Sequence, residues 1–230
     1  MRRLIIILTI IQCLTINLIG QKTERLEDDR TIRKVFTSSE IDKLDLIISY
    51  FDNVIMNWAS TPDTNMAYHE FLNSIIESED YENIYKRVNP IPQRRKDLFD
   101  TLMANNFFHE IWYYYVPKGV KTRDTILMNP PDFYSLELNI KGKYVKYLKK
   151  LGRRDKPYKG IYNDIMVCGG IPPTIALGSI QNNHLIDFNK EYNRLFMAIN
   201  LLTFEENIET RVKKYLEKKG STHNTQGKSQ

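Results

Sequence analysis

A chain of 230 residues with 42% apolar and 27% charged residues has the make-up of one folded domain, not of a disordered or membrane-embedded chain. Its 33 basic and 28 acidic residues leave a net charge of +5, too little to dictate a partner by overall charge. Function must therefore be sought in local patterns.

Arg2 and Arg3 precede an apolar run, Leu4 to Ile11, that only Thr9 interrupts. Polar residues then alternate with apolar ones up to Gly20, and charge begins at Lys22. That order is the order of a secretory signal peptide, and the run is too short to span a bilayer. The expectation is a signal over residues 1–20, cleaved before Gln21, and an exported chain, periplasmic or secreted. Cys13 supplies an alternative, a lipoprotein acylated at that cysteine, although Gln12 is large for the preceding position. After cleavage Cys168 is the one cysteine left, so no internal disulfide forms.

Residues 21–36 are charged and lack periodicity, as a tether would be. The helical domain is expected over 37–219. Thr37 and Glu40 form a capping box, with Phe36 and Ile41 placed as a hydrophobic staple. The stripe Ile41, Leu44, Ile48, Phe51, Ile55, Trp58 has helical spacing, with Asp42, Asp45, Asp52 and Asn53 on the wet side. Pro62 opens a second helix that buries Ala67, Phe71, Ile75 and Ile76.

Residues 93–116 read as a central aromatic helix, because the apolar run Phe107 to Val116 is broken only by His109 and Glu110. Such aromatic enrichment also suits a strand, but the upstream spacing of Leu98, Leu102 and Met103 favours helix. Asn129 to Asp132 is a turn, and 136–140 is a short extended piece. Further helices are expected over 142–151, from Pro157 to Cys168, over 173–180, after Asp187, and after a second capping box at Thr203 and Glu206. Residues 220–230 hold no apolar side chain and read as a disordered tail. The fold class is all-α: one domain, a bundle of seven to eight helices.

The familiar catalytic signatures are missing. His69-Glu70 is followed by Asn73 and His109-Glu110 by Tyr113, where a zinc peptidase needs a second histidine. No metal site and no cofactor is expected. His69 and Glu70 read as a solvated pair. Buried on a central helix, Glu110 would have a raised carboxyl pKa, and with His109 it supplies the one acid–base candidate. Cys168, at the C-terminal end of its helix and on the apolar face, reads as a core residue rather than a nucleophile.

One feature stands above background. Residues 141–159 carry nine basic residues and one acid, a net +8, leaving −5 on the rest of the mature chain. Lys146, Lys149, Lys150, Arg153 and Arg154, with Tyr147 among them, are the candidate binding surface. Tyrosines interleaved with cations suit a nucleic acid, but export disfavours that partner. An anionic glycan, a lipid headgroup or an acidic protein surface fits better. The leading expectation is an exported, non-catalytic helical module binding such a partner. The alternative is an exported hydrolase using Glu110 with His109.

Overall fold

The computed structural model describes residues 24–78 and 84–226. Within them lie nine α-helices: α1 (Ser38–Trp58), α2 (Thr64–Glu77), α3 (Ile84–Val88), α4 (Pro92–Ala104), α5 (Lys143–Leu151), α6 (Lys156–Cys168), α7 (Pro173–Gln181), α8 (Glu191–Leu202) and α9 (Ile208–Gln226). Four short strands lie between α4 and α5: β1 (Trp112–Tyr115), β2 (Gly119–Lys121), β3 (Ile126–Met128) and β4 (Ser135–Leu138). The fold is mostly helical. The expectation of an all-α chain is corrected by two small antiparallel sheets, β1–β4 and β2–β3.

The largest correction concerns 93–116. The helix there ends at Ala104, and Asn106 takes a left-handed φ of 56°. Phe107 N–H then donates to Leu102 O and Asn106 N–H to Met103 O, each at 2.9 Å. This is a helix C-terminus of the kind usually closed by glycine, with asparagine in that place. Phe107 and Leu102 are both buried, which adds the apolar contact typical of such an ending. Trp112 to Tyr115 then pair with Leu138 to Ser135 as strands. Trp112, Leu136 and Leu138 enter the core from this sheet. The aromatic run is β-structure because it has a partner strand, which its own composition does not reveal.

The buried helix is α8. Every residue from Asn193 to Leu202 is buried, and α1, α3 and α7 pack against it. α1 begins as its sequence dictates: Thr37 accepts from Glu40 N–H and Glu40 returns a bond to Thr37 N–H at 2.9 Å. Its stripe is buried except Trp58. The wet face is wet only in part. Asp52 accepts from Tyr68 OH at 2.8 Å and pairs with Arg194 at 2.9 Å, and Asp45 is half-buried.

Two helices start later than expected. Asp63 caps α2 by accepting from Met66 N–H at 2.8 Å, displacing Pro62 from the first turn. Thr203 turns back to Ile199 O at 2.7 Å instead of capping α9, and Asn207 accepts from Glu209 N–H at 2.8 Å.

The tether reading fails over residues 24–36. Leu26, Ile32 and Phe36 are buried, and Leu26 N–H donates to Glu191 at 2.6 Å. Glu24 N–H donates to Asn189 O and Glu191 N–H donates to Glu24 O, tying the segment to the start of α8. Too few apolar residues recur there to show a period, yet each fills a core site. Likewise α9 continues to Gln226, past the expected start of the tail at Gly220. The expected signal over 1–20, Cys13 with it, residues 21–23 and the last tail residues 227–230 lie outside the described residues.

Candidate functional site

The basic segment forms a hairpin of two packed helices, α5 and α6. α5 buries Tyr144, Val145, Tyr147, Leu148 and Leu151 on one side. Gly152 permits the turn: a Cβ there would lie 2.8 Å from Lys159 Cα. α6 ends at Gly169, whose φ of +77° any larger residue would resist. Gly142, before α5, is pressed against the 108–110 turn, where a Cβ would come within 2.4 Å of Glu110 O.

Three of the nine cations are held internally. Lys143 pairs with Glu40 at 2.5 Å, and Lys150 donates to Lys34 O at 3.1 Å. Burial works to raise the Glu40 carboxyl, but Lys143 and the Thr37 N–H outweigh it and hold it below its usual value. Arg154 pairs with Asp29 at 2.5 Å, beside the bond from Tyr147 OH to the same carboxylate at 3.3 Å. The candidate surface is corrected accordingly. Tyr147 is 1% exposed and cannot meet a ligand, and Arg154 fastens the 24–36 segment. Tyr144 and Tyr158 are buried too, so no tyrosine of the three is free to stack on a base.

The other six, Lys141, Lys146, Lys149, Arg153, Lys156 and Lys159, are exposed and form no salt bridge among the described residues. Lys149 lies 5.9 Å over the Tyr162 ring. This is a rigid cationic surface, since the apolar half of α5 anchors its backbone.

His109 and Glu110 are not on a buried helix. They sit in a 3₁₀ turn, with His109 exposed. Glu110 accepts from Lys143 N–H at 3.0 Å and so caps α5, while Asn139 donates to His109 O at 2.6 Å. The carboxylate is occupied at a helix N-terminus, where negative charge is stabilised. Its chemistry is that of a cap.

Cys168 is exposed, contrary to the core reading. The last turn of α6 projects past its packing partners, leaving Val167 86% exposed.

The pairing missed at the sequence level is His69 with Asn183. Asn183 is 1% exposed and donates to Asn73 Oδ1 at 2.8 Å and Ile180 O at 2.9 Å, which orients its amide. Its Oδ1 is then the acceptor 2.8 Å from His69 Nδ1. Nδ1 is therefore the donor of this pair. His69 lines a cleft of about 550 Å³ with His184 and Asn65. The two histidines are 115 positions apart, so spacing gave no signal. Among the described residues no group of three or more His, Cys, Asp or Glu is placed to hold a metal ion.

Fold and surface together define a class: a mostly helical protein with a cationic helical hairpin. Comparison with protein-family models, curated proteins and solved structures finds no match for this chain.

Proposed function

We propose that this chain is an exported, non-catalytic binding module whose α5–α6 hairpin contacts a polyanion, such as an anionic glycan, a lipid headgroup layer or an acidic protein surface. One observation carries the reading: six exposed cations without ion pairs among the described residues, on a hairpin whose opposite side is fixed in the core. Concentrated like charge repels itself, and solubility alone is better served by mixed signs. The order of residues 1–20 supports export with cleavage before Gln21. Among the described residues no helix is long and apolar enough to cross a membrane.

Vesicles containing phosphatidylglycerol and a sulfated polysaccharide are suitable probes. Binding should weaken steeply with salt, because exposed charges are screened within about 10 Å at 0.1 M. The combined Lys146→Gln, Lys149→Gln, Arg153→Gln variant should lose roughly 100-fold in affinity at low salt. Undiminished binding by that variant, or no binding at low salt, rejects the reading. Intact mass of the exported protein tests the address. A chain starting at Gln21 supports it, and an acylated chain starting at Cys13 replaces it with the lipoprotein form.

A further inference from the structure

Two clefts meet at the loop from Leu185 to Lys190. One is the polar cleft of His69, about 550 Å³. The other, about 410 Å³, is walled by Ile161 of α6, Ile175 and Gly178 of α7, and Phe196 of α8. They share Leu185, Ile186, Asp187 and Lys190, so they adjoin along this loop. Each lies in the size range of small-molecule sites.

The apolar cleft has a finished floor. Tyr158 OH donates to Asn193 Oδ1, and Asn193 Nδ2 donates to Asp187 O, both at 2.7 Å. These polar groups are satisfied among themselves and ask nothing of a ligand. Gly178 lines the cleft. A glycine inside a helix costs about 1 kcal/mol relative to alanine, and a Cβ at this one would meet nothing within 4 Å. A side chain at position 178 therefore has room to enter the cleft.

Charge distinguishes this depression from the hairpin. Its rim carries three carboxylates, Glu24, Asp155 and Asp187, against one ammonium, Lys190, which lies 3.7 Å from Asp187. The rim is therefore complementary to a cationic, hydrogen-bond-donating group.

We propose that the adjoining clefts bind an amphiphile with a single hydrocarbon chain and an ammonium-bearing head. The chain lies between α6, α7 and α8. The head lies at the rim, among Glu24, Asp155 and Asp187. This site shares α6 with the polyanion surface but has the opposite charge preference.

The test is calorimetric titration of the purified protein, below the micelle concentration, with a homologous series of alkylammonium ions and the matching alkyl sulfates. Alkylammonium ions should bind saturably, with affinity rising about fourfold per methylene until the cleft is full. Alkyl sulfates should bind at least about tenfold more weakly at this site, measured in the Lys146→Gln, Lys149→Gln, Arg153→Gln background to remove the hairpin. Gly178→Leu should abolish binding without lowering the melting temperature, since leucine is the better helix former. Thr174→Trp, at the exposed lip, is the second block should Gly178→Leu fail to fold. Asp187→Asn with Glu24→Gln should weaken alkylammonium binding about tenfold. Absence of saturable binding overturns the site. So does unchanged binding in a folded blocking variant. Equal affinity for alkyl sulfates overturns the head-group assignment.

Discussion

Helix α5 keeps its polar side chains outside: Lys146 and Lys149 stand in solvent while Tyr144, Tyr147 and Leu148 fill the core. Helix α8 keeps polar side chains inside. Asn193 meets Tyr158, Asn200 donates to Ser179 at 2.9 Å, and Arg194 bridges Asp52 at 2.9 Å and Glu191 at 3.0 Å. Burial drives the Asp52 carboxyl upward against the pull of Arg194, and burial first, then Asp52, drives the Tyr68 hydroxyl upward. The contrast separates two uses of charge. Inside α8 each charge is consumed by a partner, so its work is structural. On α5 and α6, Lys146, Lys149, Lys156 and Lys159 form no salt bridge among the described residues, so they are placed to meet a partner outside the chain.

Removing a charge should therefore be severe at α8 and mild at α5. Arg194→Met leaves Asp52 and Glu191 facing each other without a cation, and should lose about 3 kcal/mol in urea unfolding. A loss below about 1 kcal/mol would mean that these carboxylates reach water, and the contrast would collapse. Gly142→Ala probes the seat of α5 instead of its charges. It drives a methyl group against Glu110 O and should lose about 1–3 kcal/mol, read in the same way.

Asp45 lies between the two regimes. Burial first, then the charge of Glu191, raises its carboxyl to about 6. A carboxyl that is easier to protonate in the folded state stabilises at low pH. That contribution is present below the unfolded value of 3.8 and is lost as pH rises through about 6. Asp45→Asn should thus flatten this part of the stability–pH curve and raise stability at neutral pH by about 1 kcal/mol, after allowance for screening of a half-exposed group. A curve of unchanged slope would contradict it. The smallest effect belongs to the combined Lys146→Gln, Lys149→Gln, Arg153→Gln variant. Its unfolding free energy should stay within about 0.5 kcal/mol of the parent, and a larger fall would show that these cations serve the fold.

Much of the helical frame was legible because its signals are local. The capping box at Thr37 and Glu40 places the start of α1, and Pro157 with Gly169 brackets α6. The features that escaped depend on distant partners. The strand character of Trp112 to Tyr115 needs β4, which lies beyond the intervening β2–β3 ribbon. The left-handed Asn106 is the local mark of the break, and Asn105-Asn106 is the signal the sequence does carry. α8 looked amphipathic because Asn193, Arg194 and Asn200 are polar. Nothing in their spacing tells that Tyr158, Asp52 and Ser179 bond to them. At the hairpin the charge run was legible, but not its division. Tyr147 and Arg154 belong to the fold because Asp29 reaches them from more than a hundred residues away. Glu110 and Cys168 were misplaced for the same reason, since their surroundings are set by α5 and by the end of the core.

The bonds between Glu24, Leu26 and the start of α8 also set a timetable. Leu26 and Glu191 are separated by 165 positions, so the segment that leaves the ribosome early has no seat until α8 has been made. Its buried Leu26 and Ile32 stay uncovered through most of synthesis, and closure over so long a loop is slow. Under the export proposed above, such late closure is an advantage: the chain remains unlocked while it still has to pass a translocation pore.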